Sequence, residues 1–228
     1  MPTSVRMGGF SAGSNAICKA IFLGGVTNRF PRLRFAFLEG GVAWAASLYC
    51  DLIGHWEKRN LGALRRNLDP ALVDRDLLAA MTARYAPDAP VSPGLFTTRM
   101  TEPEDMLDEW AACEIESVSD IKELFVDPFY FGCEADDPLT SAAFNTKINP
   151  LGAELKAMMG SDIAHWDVPD MSEVLEEAWE MVDHGWIDEA AFTKFTFTNP
   201  ARFYTGTNPG FFKGTVVEAA VDQLLAED

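Results

Sequence analysis

A chain of 228 residues with 48% apolar side chains is long enough to bury a substantial core. Its 35 acidic and 18 basic residues leave a formal charge of −17, which repels phosphate backbones and anionic lipid and argues against nucleic-acid and membrane-surface partners. Four scattered cysteines, Cys18, Cys50, Cys113 and Cys133, form no CxxC pair, so neither a structural zinc site nor a redox motif is expected, and reduced thiols in a cytoplasm are.

The first dozen residues, with Gly8, Gly9 and Gly13, read as an irregular lead-in. Residues 15–29 then predict a helix with Ile17, Ile21 and Val26 on one face, weakened at Gly24-Gly25 and stopped by Pro31. The apolar run at 16–26 carries Lys19, is too short to span a bilayer, and lacks the basic cluster and cleavage site of a signal peptide. Residues 33–38 (LRFAFL), flanked by Pro31 and Gly40-Gly41, predict a short buried strand. A helix follows over 42–58, where Trp44, Leu48, Leu52 and Trp56 recur every fourth residue. Asp69-Pro70 reads as a cap and first helical position for a helix running to Tyr85.

Three prolines in 86–93 mark a linker, and TEPE at 101–104 fits a capping box for a helix carrying Met106, Leu107 and Trp110. A short helix at 121–125 leads into a second strand, 129–133 (FYFGC), and Asp137-Pro138 caps another helix. Residues 157–160 (AMMG) are the third strand. From Ser172 the pattern is helical: Val174, Leu175, Ala178, Trp179 and Val182 make a face, Gly185 closes it, and further helices start at Asp188, Pro200 and Val216. Strands alternating with helices give an α/β fold with a parallel sheet.

In such folds functional groups gather at the carboxyl ends of the strands. All three strands finish in carboxylates: Glu39 after the first, Glu134 with Asp136 and Asp137 after the second, and Asp162 after the third. Convergent carboxylates bind divalent cations and shift one another's proton affinity. In GSDIAHWD, His165 lies three residues beyond Asp162, with Asp167 nearby, which suits proton transfer. The bland alternative is a capping aspartate beside a hydrogen-bonded loop histidine. His55 is expected on a helix surface and His184 at a helix C-terminus. Glu39, Glu134 and Asp162 are expected to share one end of the sheet and face a common cavity.

Two stretches carry a resemblance. GVTNRFPRLRFAFLEGGVAW (25–44) is similar to the helix, turn and acid-tipped strand of the amidohydrolase-related superfamily of metal-dependent (β/α)-barrel enzymes. GSDIAHWD (160–167), followed by TNPARFY (198–204), resembles the end of that family's last barrel strand and its closing helices, with FYFGCEADD (129–137) between them. The resemblance spans residues 16–212. It implies a partial (β/α)8 TIM barrel forming a single domain over 1–228, its C-terminal part: strands six to eight with their helices, the N-terminal half missing.

By the same resemblance Asp162 is the last-strand metal ligand and proton acceptor, Glu39 the strand-six active-site group and a second metal ligand, and His165 a pocket residue beside them. The family's remaining histidine ligands, on strands one and five, have no counterpart here. The implied activity is hydrolysis or non-oxidative decarboxylation of a small carboxylate or cyclic substrate with a divalent metal, zinc or manganese, held weakly or absent in this chain. An inactive truncated chain, in a homo-oligomer or pairing with a missing N-terminal half, is then expected. The alternatives are a non-catalytic half-barrel interaction module and one chain of a split enzyme.

Overall fold

The computed structural model describes residues 8–69, 72–88, 107–166 and 168–227. The chain divides into two compact units, Met1–Ile53 with Cys113–Asp228, and Gly54–Ala112.

Among the described residues the first unit opens with α1 (Gly9–Leu23), which begins six residues before the expected start at 15 and takes in part of the glycine-rich lead-in. Gly24 ends it, and Gly25, at φ 65°, turns the chain into the single-turn α2 (Val26–Arg29). The face α1 buries is Cys18 and Phe22, whereas Ile17 is exposed, so the expected stripe is displaced by one residue. Strand β1 (Phe35–Phe37) is the core of the predicted segment. Helix α3 (Ala43–Arg59) buries Ala45, Leu48, Tyr49, Leu52 and Ile53.

In the second unit, Asn60 caps a short turn, Leu61–Ala63, by accepting a hydrogen bond from the Ala63 N–H at 3.0 Å. Helix α4 (Arg75–Tyr85) is capped by Asp74, whose carboxylate accepts from the Leu77 N–H at 2.9 Å. Asp69 does not begin this helix: it accepts the Leu72 N–H through its backbone carbonyl in a preceding turn. Pro70, most of the 86–93 linker, the TEPE box at 101–104 and Met106 lie outside the described residues.

Back in the first unit, α5 (Val118–Val126) buries Ile121 and Phe125 and leads directly into β2 (Phe129–Glu134). After β2, Asp137 accepts the Leu139 N–H at 2.9 Å and caps a short helical segment, the 3-10 turn Pro138–Thr140 continued by Ser141–Phe144, as its Asp-Pro signature predicts. Strand β3 (Lys156–Gly160) completes a sheet in which β1, β2 and β3 are neighbours in that order, both pairings parallel. These parallel strands joined through helices bear out the α/β class. Among the described residues β1 and β3 each pair on one side only.

Helices α6 (Val174–Asp183), α7 (Glu189–Thr193), α8 (Asn199–Thr205) and α9 (Glu218–Ala226) follow. Gly185 sits at φ 69° past α6, and Asp188 caps α7, both as expected. Helix α6 buries Val174, Ala178 and Met181, while Leu175 and Trp179 of the predicted face are exposed. Asn199 donates from its side chain to the Ala157 carbonyl at 2.8 Å, tying the start of α8 to β3.

Aromatic rings hold the layers together. Phe125 lies 5.4 Å from Tyr49, 6.1 Å from Phe22, 5.3 Å from Phe129 and 6.2 Å from Phe131, joining α1, α3 and β2. Cys18, Cys113 and Cys133 are buried, Cys50 is exposed, and none is disulfide-bonded. Among the described residues no helix is long and apolar enough to cross a membrane.

The start of α5 is set by one carboxylate. Asp120 accepts the backbone N–H groups of Glu116 and Ser117 at 2.8 Å each, and these bonds hold its carboxyl below the usual carboxylate range. A carboxyl lowered on folding stabilises fully above its unfolded value, and that contribution is lost as pH falls through the folded value. Discounted for the solvent that screens this carboxylate, the loss of its two backbone hydrogen bonds in Asp120→Ala is expected to cost about 0.5–1 kcal/mol near neutrality. The difference from the unaltered protein should shrink as the solution is acidified below the carboxylate range, which urea melts at both conditions would check.

Candidate functional site

The parallel sheet brings the carboxyl ends of its strands to one edge. Glu39 follows β1 by two residues, Glu134 is the last residue of β2, and Asp162 follows β3 by two. All three line one cavity of about 250 Å³, with Leu38, Gly132, Met158, Pro200 and Tyr204 among its walls. The expectation that these three carboxylates share one end and one cavity is met. A second hollow of about 290 Å³ shares Glu134, Gly160 and Asp162 and is walled by Asp136, Val174 and Glu177.

The backbone at this edge is unusual. Glu39 at φ 60°, Asp162 at φ 46° and Ala164 at φ 79° all occupy the left-handed region, which side-chain-bearing residues avoid. Such conformations cost about 1–3 kcal/mol each and persist only where the surroundings enforce them. The turn at 162–165 is closed by the His165 N–H donating to the Asp162 carbonyl at 3.0 Å. The same turn brings the His165 Nδ1 to 3.3 Å from the Asp162 carboxylate, with both side chains near half exposure. His165 thus joins Asp162 directly but is not among the residues that line the cavity.

Two glycines let the strand ends approach. Gly132, mid-strand in an aromatic run, has Leu38 Cα where a side chain would sit: an added Cβ would stand 3.0 Å from it. Gly41, at φ 65°, leaves no room beside the Asp137 carboxylate, 2.8 Å from where its Cβ would be. Asp137 is therefore occupied in turn formation and in this close contact. Cys133 also borders the cavity, but burial pushes its thiol up to about 12, so it is no ready nucleophile.

Neither of the remaining histidines is among the residues that line these two cavities. His55 is exposed on α3, as expected. The His184 Nδ1 lies 2.8 Å from the Glu180 carbonyl at the end of α6, and its ring stacks on Trp186 at 4.6 Å. Asp167 lies outside the described residues. Met158, Pro200 and Tyr204 were not foreseen. Nothing local marks them, although a glycine interrupting FYFGCE does signal close approach at that strand.

Two carboxylates, Glu39 and Asp162, were expected to hold a metal. Among the described residues no group of three or more His, Cys, Asp or Glu side chains is arranged to hold one. A catalytic zinc site needs about three protein donors with a water, and the described residues do not supply that set by themselves. Searches against protein-family models, curated sequences and solved structures find no match to this chain.

The left-handed backbone at Asp162 has a measurable consequence. Asp162→Gly is expected to be at least as stable as the unaltered protein. Asp162→Ala should be less stable than the glycine variant by about 1 kcal/mol, because alanine gains nothing from φ above zero. The loss of an exposed contact to His165 affects both variants equally and is worth about 0–1 kcal/mol. Urea denaturation of the pair decides it, and an alanine variant as stable as the glycine one would contradict the strain.

Proposed function

We propose that the protein acts in metal-dependent hydrolysis or non-oxidative decarboxylation of a small carboxylate or cyclic substrate, and that these residues form the strand-six-to-eight portion of an amidohydrolase-related (β/α) barrel. The observation that supports this reading above the others is the single cavity lined by Glu39, Glu134 and Asp162, each from the carboxyl end of a consecutive parallel strand. That is the edge where barrel enzymes carry their chemistry.

Within this reading Asp162 and His165 work as a pair. The carboxylate accepts from the imidazole at Nδ1, and this contact would let His165 orient Asp162 from beside the cavity. Asp162 also serves as proton acceptor on its cavity side. Glu39 supplies a second negative charge across the cavity, and Leu38, Met158 and Tyr204 provide an apolar wall for a small ring or carbon chain. A divalent cation, zinc or manganese, would draw on Asp162 and Glu39 from the described residues, which fall short of a complete donor set. Its other donors would have to be borne by strands that pair with the open edges of β1 and β3, from the same polypeptide or a partner chain.

A second reading, a non-catalytic interaction module, is favoured by the exposed apolar side chains Phe30, Leu33 and Leu38 flanking β1, an edge suited to adding a strand.

The deciding experiment is turnover of small carboxylates and cyclic amides by the protein, alone and co-expressed with its flanking coding sequence, with zinc or manganese supplied. The chain alone is expected to retain less than one ion per molecule after desalting and to show no turnover. One tightly held ion per chain would contradict the donor count. In an active assembly, Asp162→Asn at fixed metal content should reduce kcat by about 10²–10⁴-fold with a smaller change in KM, as loss of a general base does. Glu39→Gln should fall between that variant and the milder His165→Gln. Near-normal turnover by Asp162→Asn would leave Asp162 as a turn-forming residue and nothing more.

A further inference from the structure

Helix α4 of the second unit buries none of its 11 residues. Helices shorter than about 12–15 residues are marginal in water by themselves and persist when an amphipathic face packs on a partner. Such a face is present. Leu77, Met81 and Tyr85 recur every fourth residue and are 54%, 41% and 71% exposed. Leu78 and Thr82, beside them, are half-buried, so the chain covers the helix in part along a different line.

The charges on the exposed face are placed symmetrically. Asp74 stands three residues before Leu77 and Arg84 three residues after Met81, which sets both on the same stripe. Residues equidistant from Ala79 are therefore complements: Leu77 answers to Met81, and Asp74 to Arg84. One carboxylate oxygen of Asp74 accepts the Leu77 N–H at 2.9 Å, and the Arg84 guanidinium lies 5.1 Å from the centroid of the Tyr85 ring. Among the described residues neither charge has an ion-pair partner. Asp74 and Asp76 are balanced by Arg75 and Arg84, so this stretch is neutral in a chain of net charge −17. Two copies can meet here without the repulsion that the rest of an acidic surface imposes.

We propose that α4 is a self-association surface, on which a second copy of this chain docks its own α4 antiparallel about a twofold axis beside Ala79. Leu77 of each copy packs on Met81 of the other, and Asp74 of each faces Arg84 of the other. A twofold contact requires this self-complementarity, since whatever one position offers its opposite must answer in both directions. The antiparallel arrangement also sets the acidic start of each helix beside the basic end of its neighbour, in keeping with both helix dipoles. A parallel pair would oppose Asp74 to Asp74 and Arg84 to Arg84. The apolar contacts supply the affinity, and the exposed charge pairs fix the orientation. One short helix from each copy makes a small interface, so the association is weak and concentration-dependent. It lies wholly in the second unit and does not depend on the function proposed for the acidic cavity.

The test is analytical ultracentrifugation of the full chain from about 10 μM to about 1 mM, the range in which weak contacts populate. A shift from monomer to dimer is expected across it. Met81→Glu buries an unpaired charge and should weaken dimerisation about 10-fold or more. Arg84→Glu opposes like charges and should weaken it about 3–10-fold. Arg84→Lys, which keeps the charge, and Arg75→Gln, on the far side of the helix, should dimerise as the unaltered protein does. All three positions are exposed, so the variants should fold, as circular dichroism would verify. Orientation is read by disulfide formation in a Cys50→Ser background, which removes the exposed thiol. A mixture of Leu77→Cys and Met81→Cys chains should cross-link more than either variant alone. A chain that stays monomeric throughout leaves the face to a partner of different sequence and overturns the proposal. So do dimers indifferent to Met81→Glu, or cross-linking strongest in Leu77→Cys alone.

Discussion

The burial of β2 on both faces is the constraint on which the rest of the first unit depends. Phe129, Tyr130, Phe131, Gly132 and Cys133 are all buried, which a strand achieves with a paired neighbour on each edge, here both parallel, and a covering layer on each face. The odd residues, Phe129 and Phe131, meet Phe125, Phe37 and Trp44 on the side of α3 and α5. The even ones, Tyr130 and Gly132, face α8 and the cavity. Because all three strands run the same way, every residue just past a strand end arrives at one edge. The acidic cavity is a product of strand direction.

Much of this was legible because the signals are local. Aromatic runs bounded by proline and glycine gave β1 and β2, and a short apolar run ending in glycine gave β3, each to within a residue or two. Asp137 before Pro138, Asp188 before α7 and Gly185 after α6 each act on neighbours two or three residues away, so their chemistry can be read without knowing the fold. Glu39, Glu134 and Asp162 could be placed together once parallel strands were inferred, since topology alone fixes which end they share.

What was not legible depends on contacts far along the chain. Which face of α1 is buried is decided by Phe125 and by Cys113, whose thiol donates to the Phe22 carbonyl at 3.0 Å from 91 residues away. No periodicity within α1 distinguishes Cys18 and Phe22 from Ile17. The same holds for Leu175 and Trp179, apolar at helical spacing yet exposed, and for Tyr204 and Met158, which reach the cavity through the docking of α8 on β3. Asp74 outcompeted Asp69 as a cap because its side chain reaches the Leu77 N–H, a choice between two similar signals that spacing alone does not make.

The distribution of thiols turns the fold into its own reporter. Cys50 is open to solvent, whereas Cys18, Cys113 and Cys133 are sealed in the first helix, at the return of the chain to the first unit, and in the central strand. Burial raises the Cys50 thiol as well, with Asp51 adding to the effect, but exposure leaves this sulfur within reach of a reagent. A thiol reagent applied to the folded protein would therefore mark one position first. Modification of the other three must wait for the structure to breathe, each at the rate at which its own layer opens. Mass spectrometry of the labelled peptides would then order the opening of α1, the Cys113 turn and β2 along a single time axis, with no substitution introduced anywhere in the chain.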